Sequence, residues 1–247
     1  MVKRSTSRGQ RFKHLALACA ALATGAHAAG TFTVSPVRIF MSPKDRAVAI
    51  TVTNDGNEEL VMQAEVFAWG QKPGGEDELV PSEDLILSPP ILKMAPKSRQ
   101  VVRLALIQKR PLDKQITYRL VVREVPEVKQ AERDINMQVA LAFSMPVFIS
   151  PPGAKRNVMC EADRAAADTV RVSCANSGTA YAQVREVVFT SPSGERIAGR
   201  DVGGYILPGI TRAFPIRKDG GFAAGAYKLG VSFDDGSAQS FDVTVPQ

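Results

Sequence analysis

Beyond residue 28 the chain has no histidine, because both of its histidines, His14 and His27, fall in the N-terminal stretch. That excludes every mechanism needing an imidazole base, nucleophile partner or metal ligand in the remainder. Cysteine is almost as scarce: of three, Cys19 lies in the same stretch, leaving Cys160 and Cys174. Two cysteines without histidine make a poor zinc site. Gly-rich phosphate loops, a serine elbow and an HExxH helix are all missing. With no set of groups to share out as acid, base and nucleophile, the sequence points away from an enzyme, and it offers no metal or cofactor site. A second apolar run of membrane length is also lacking, so direct membrane insertion is not expected.

The N-terminal stretch itself is informative. Lys3, Arg4, Arg8, Arg11 and Lys13 precede the apolar run Leu15–Ala23, and Ala26-His27-Ala28 follows as a small-x-small site. This order reads as a secretory signal peptide over residues 1–28, with a mature chain starting near Ala29. The full sequence carries 31 Lys+Arg against 25 Asp+Glu. Five of the basic residues and none of the acidic ones belong to the leader, which leaves 26 against 25. The mature chain is therefore near neutral and gives no reason to expect a nucleic-acid partner. Export to an oxidising compartment favours a Cys160–Cys174 disulfide, with two buried free thiols as the alternative.

From Thr31 onward, short alternating runs separated by turn signals replace helical periodicity. Thr31–Met41 is interrupted by Pro36, which suggests a kinked edge strand or a switch between sheets. Ala47–Thr53 alternates and ends at Asn54-Asp55-Gly56-Asn57, and Leu60–Trp69 follows. Residues 70–78 read as a polar loop. Pro89-Pro90 divides Leu85–Met94. Gln100–Leu106 places Val102, Leu104 and Leu106 on one face and Arg103 on the other. Ile116–Glu124 sets Tyr118, Leu120 and Val122 against Arg119, Val121 and Arg123. Glu127–Asp134 reads as a charged loop, and Asn136–Ile149 as the longest strand-like run. Ser150-Pro151-Pro152-Gly153 then marks a bend. Further strands are expected at 169–175, 181–190, 212–217, 226–233 and 239–245. Asp234-Asp235-Gly236 reads as a hairpin turn rather than an acidic pair for catalysis. The fold class that follows is all-β, with two immunoglobulin-like sandwiches over residues 29–150 and 151–247.

Two features invite a functional reading. On one face of Asn136–Ile149 stand Met137, Val139, Leu141, Phe143, Met145, Val147 and Ile149. Periodicity alone fits a long core strand; the alternative is that Met137–Phe143 is an edge offered to a partner by β-strand addition. A bare edge of this kind invites aggregation, so the free protein is expected to cover it, by self-association into an oligomer or with the 127–134 loop. The second feature is Arg38, just after Val34-Ser35-Pro36-Val37. A lone arginine is usually a surface group; in a cleft it becomes a carboxylate clamp.

The chain resembles the periplasmic pilus-assembly chaperones of the chaperone–usher pathway (PapD-like). The likeness rests on VSPVRIFM, AVAITVTNDG, APKSRQVVRLAL, YRLVVREVP and NMQVALAFSMPVFISPP in the first half. In the second it rests on VMCEADRAAADTVRVSCANSGTAYAQV, GYILPG and SFDDGSAQSFDV. The resemblance implies a boomerang of two immunoglobulin-like domains in the periplasm. Such a protein folds and caps fimbrial subunits by donor-strand complementation and delivers them to an outer-membrane usher. It implies that Arg38 grips the subunit's C-terminal carboxylate and that Met137, Val139, Leu141 and Phe143 are donor residues. The family's second anchor, a lysine on the donor strand, is replaced here by Pro146, and the arginine common at the domain junction by Ser150. These departures resemble an archaic or spore-coat-like branch, with Arg103 and Arg119 as candidates for the missing charge. A non-chaperone adhesive or structural surface protein built from two sandwiches is the alternative.

Overall fold

The computed structural model describes residues 32–107, 111–126 and 140–247, and all of its regular elements are strands. In the first half these are β1 (Phe32–Ser35), β2 (Ile39–Met41), β3 (Ala47–Asn54), β4 (Leu60–Gln71) and β5 (Asp77–Pro81). They continue with β6 (Leu85–Ser88), β7 (Ile91–Met94), β8 (Arg99–Leu106), β9 (Ile116–Glu124) and β10 (Ala142–Ile149). In the second half they are β11 (Val158–Ala166), β12 (Thr169–Asn176), β13 (Ala182–Thr190), β14 (Arg196–Ile206), β15 (Thr211–Arg217), β16 (Gly225–Phe233) and β17 (Ala238–Val245).

The first-half strands form two sheets, ordered β1-β3-β8-β6 and β2-β10-β9-β4-β5, with β7 also paired to β4. Both proline sites flagged in the sequence, Pro36 and Pro89-Pro90, mark places where the chain leaves one sheet for the other. β1 pairs β3, whereas β2 runs parallel to β10 beyond Pro36. β6 pairs β8, whereas β7 beyond Pro89-Pro90 pairs β4. A proline supplies no amide hydrogen to a ladder, so these are natural points to break one. Alternation then does the packing. Ile50, Val52, Val102, Leu104, Leu120 and Val122 are all buried between the sheets. The segment expected to be a polar loop through residue 78 instead enters β5 at Asp77, an edge strand exposed along its whole length.

The second half builds the sheets β11-β12-β15 and β14-β13-β16-β17 around a separate core. One of these strands, β14, falls where no strand was expected. The Cys160–Cys174 disulfide joins residues directly opposite each other in β11 and β12. Each half also carries one buried asparagine in the same role. Asn54 accepts from the Gly56 N–H, Asn176 accepts from the Gly178 N–H, and both donate to nearby backbone carbonyls.

A third apolar cluster lies between the two cores: Trp69, Phe148 and Leu207 are buried, with Tyr181, Tyr205 and Ile210 packed on them. Two glutamines act there like short pieces of strand. Gln71 donates to the Tyr205 carbonyl and accepts from the Leu207 N–H, each at 2.9 Å. Gln115 accepts from the Tyr181 N–H at 2.9 Å, while its own backbone N–H donates to the Thr179 carbonyl at 2.8 Å. The turn before β5 closes the same junction through a bridge from Gly74 to Arg212. At neighbouring Gly75, where φ is +88°, a Cβ would sit 2.6 Å from Arg212 Cγ, so this approach requires glycine.

Candidate functional site

Arg38 occupies the short crossover between β1 and β2, and residues on either side set its direction. Ile39 is buried in the first core, so Arg38 and Phe40 point the other way, toward the second half. There the Arg38 guanidinium donates through Nη1 to Asp234 Oδ2 at 2.5 Å. Asp234 follows directly on β16, and the Tyr181 hydroxyl donates to the same oxygen at 3.3 Å. The Asp234 side chain is 8 % exposed, whereas 31 % of the Arg38 side chain remains open to solvent. Burial pulls the Arg38 guanidinium down, but Tyr205, Asp234 and Tyr181 outweigh it and the net shift is upward. Burial is also the chief cause that pushes the Tyr181 hydroxyl up to about 12, helped by Asp234. Arg38 is therefore a permanent cation.

An aromatic wall backs this pair. The Phe148 ring stacks on Tyr181 with centroids 4.0 Å apart, and Phe40 stacks on Phe148 at 5.4 Å while staying 57 % exposed. Arg119 lies deeper. Its guanidinium carbon is 3.8 Å from the Trp69 ring centroid and 5.4 Å from that of Tyr205, and Nη2 is 3.5 Å from Asp77. Arg119 does point away from the first core, as alternation required, but it enters the junction rather than solvent, with 13 % of its side chain exposed. Burial lowers its pKa, against the opposing pull of Asp77. On the outer side, Lys155, Arg156, Tyr181, Asp234 and Asp235 line an open groove of about 510 Å³.

β10 runs along the border of this site. Met145, Val147 and Ile149 are buried in the first core, whereas Leu141 and Phe143 are 38 % and 39 % exposed. Antiparallel pairing with β9 covers Ala142–Ile149, but on the other side β2 reaches only Val147–Ile149. Over Ala142–Pro146 one edge of β10 has no paired strand among the described residues. Pro146 is tolerated in the strand because that edge need not donate a hydrogen bond. Phe143 leans across the gap onto Phe32 of β1, with centroids 4.9 Å apart. Met137, Val139 and the 127–134 loop lie outside the described residues.

The candidates are thus unevenly placed. Arg38 and Arg119 share the junction, and both act electrostatically on Tyr205, while Leu141 and Phe143 flank the open edge of β10. Arg103 stands apart on the exposed face of the other sheet, in register with Ala49 and Ser88. Among the described residues no cluster of three or more His, Cys, Asp or Glu side chains could hold a metal ion. Asp234 was overlooked as a site residue, since its sequence context marked only a turn.

The family model of the pili and flagellar-assembly chaperone, PapD N-terminal domain, matches residues 31–155, half of the chain. The chain belongs to that family. Membership of this non-catalytic class agrees with the absence of any catalytic constellation in the sequence. Comparison with curated proteins finds no match. Among solved structures, the chain is similar to the Acinetobacter baumannii complex of CsuC with the tip subunit CsuE, from archaic chaperone–usher Csu pili. The TM-score is 0.65 at 21 % identity, over 88 % of this chain and 100 % of that one. The E. coli chaperone DraB gives 0.58 at 20 %, over 87 % and 96 %. The Pseudomonas aeruginosa CupB2 chaperone gives 0.54 at 17 %, over 85 % and 98 %. These likenesses extend over both halves and establish the all-β, two-sandwich fold of the family.

Proposed function

We propose that this pilus-assembly chaperone works in the periplasm, entered by way of the N-terminal signal peptide. There it holds a fimbrial subunit by donor-strand complementation until an outer-membrane usher receives it. The observation that carries this reading is the edge of β10 over Ala142–Pro146, which has no paired strand among the described residues, is flanked by Leu141 and Phe143, and ends where Ile39, next to Arg38, pairs with Val147. A subunit lacking a strand can pair with that edge through its backbone, and alternate side chains of the donor fill its open core. The donor residues are Met137, Val139, Leu141 and Phe143. Burying four such side chains contributes on the order of 6 kcal/mol gross, before the costs of association. The subunit's C-terminal carboxylate is held by Arg38, which fixes the register of the added strand. Of the two further candidates, Arg119 is the one suited to assist. It is the cross-strand neighbour of Pro146, where the family's lysine would stand, and it lies against Tyr205, whose hydroxyl also feels the charge of Arg38.

Coexpression with a fimbrial subunit encoded beside this gene, followed by copurification, tests the reading. Wild type should yield a 1:1 complex, and Arg38→Ala and Leu141→Asp should each weaken it. Undiminished complex from folded variants would refute the mechanism, and no complex with any such subunit would favour the adhesive or structural alternative.

A further inference from the structure

The clamp residue is not vacant in the free protein. Arg38 already holds a carboxylate, that of Asp234, which belongs to the other domain and lies 196 residues along the chain. Asp234 is nearly buried, is fixed on the turn after β16, and takes a second hydrogen bond from Tyr181. Two further arginines near Tyr205 and Tyr181 are likewise paired, Arg119 with Asp77 and Arg156 with Asp235. A client carboxylate arriving at the open side of Arg38 therefore meets a guanidinium whose charge is already balanced. It must either displace Asp234 or share the cation with it.

We infer that Asp234 is a built-in competitor for the client's carboxylate: it occupies Arg38 ahead of the client and limits how tightly the anchor holds. The inference rests on the reading of Arg38 as the carboxylate anchor. The physical basis is simple electrostatics. Two carboxylates on one guanidinium stand about 5–6 Å apart, and in a partly solvated cleft their repulsion weakens the second by on the order of tenfold or more. Displacement costs a similar amount, because the nearly buried Asp234 would lose its cationic partner. A chaperone that must give up its client gains from such a limit. The internal carboxylate can return to Arg38 as the client's leaves, so no bare cation is exposed at the moment of transfer.

The test uses the mature protein and a short peptide of alternating valine and serine, made once as the C-terminal acid and once as the amide. Wild type should prefer the acid. Asp234→Asn, which keeps a hydrogen-bond acceptor but removes the charge, should raise that acid-over-amide preference about tenfold and leave amide binding unchanged. Asp234→Ser should act in the same direction and serves if the asparagine variant folds poorly. In the wild type itself, the Asp234 carboxyl carbon resonance should shift with the acid peptide and stay still with the amide. An unchanged or reduced preference in a folded variant would overturn the inference while leaving the anchor intact. So would an unmoved Asp234 resonance while Arg38 responds. A wild type that does not distinguish acid from amide would remove the anchor reading itself, and this inference with it.

Discussion

Replacing Phe148 with alanine should loosen the two domains from each other without unfolding either. Phe148 faces away from the first core and into the cluster with Trp69 and Leu207, where it is completely buried. Truncating a buried phenylalanine costs about 3–5 kcal/mol. The close stacking on Tyr181 and the tilted contacts with Trp69 and Tyr205 place the loss in the upper part of that range, near 4 kcal/mol. That loss has a local readout, because the backbone amide hydrogens of Leu207, Tyr181 and Gln115 bond across the junction. If opening of the junction governs their exchange, Phe148→Ala should speed hydrogen exchange at all three by about a thousandfold, while amides of β3 and β16 stay protected. Val147→Ala is the control, since its neighbouring side chain points into the first core. It should cost about 2 kcal/mol there and leave the second-domain amides unchanged. Less than tenfold acceleration in Phe148→Ala would refute the claim that this cluster fixes the domain junction.

Much of the fold was legible because one-face burial produces period-two alternation. β3, β8 and β9 each bury one side against a core, and their boundaries follow the sequence pattern closely. The switches at Pro36 and at Pro89-Pro90 were legible for a different reason, the missing amide hydrogen. What could not be read is what alternation does not encode. β5 is exposed on both faces, so Asp77–Pro81 carries no apolar period. β14 is mostly half-buried or exposed and contains Gly199, Gly203 and Gly204, which lower strand propensity. β11 buries Val158 and Cys160 and then runs out through charged and small residues.

The site was only half legible, again for a definite reason. Arg38 stands out locally, beside a proline at a strand switch. Its partner Asp234 does not, because the pair is made by domain docking and a turn motif explains Asp234 equally well. A usable signal for the junction was nevertheless present. Phe148 lies between the core positions Val147 and Ile149, Tyr205 precedes Ile206, and Tyr181 precedes Ala182. Trp69 likewise follows Ala68, which packs on the first core. Large aromatics on the side of a strand away from its own core need a second surface to cover them. Four of them distributed over both halves predict a domain interface.

Two further outcomes follow from particular contacts. Replacing both Cys160 and Cys174 by serine should destabilise the second domain by about 3 kcal/mol, the chain-entropy value for a loop of this length. Its denaturation midpoint should fall while the first domain's stays put, and equal loss in both would contradict the separation of the cores. The junction should also register alkaline pH through Tyr181. Its hydroxyl is held at about 12 in the folded protein, first by burial and then by Asp234, against about 10 in an unfolded chain. The folded state thus binds this proton more tightly. Its contribution to stability is complete below pH ~10, declines as the unfolded chain releases the proton, and is lost as pH rises through the folded value. Tyr181 should therefore ionise late in a tyrosinate absorbance titration. Tyr181→Phe should lose less stability than wild type over that alkaline window. Ionisation of Tyr181 near pH ~10, in protein that is still folded, would show that the junction admits water and that Arg38 and Asp234 meet in a wetter cleft.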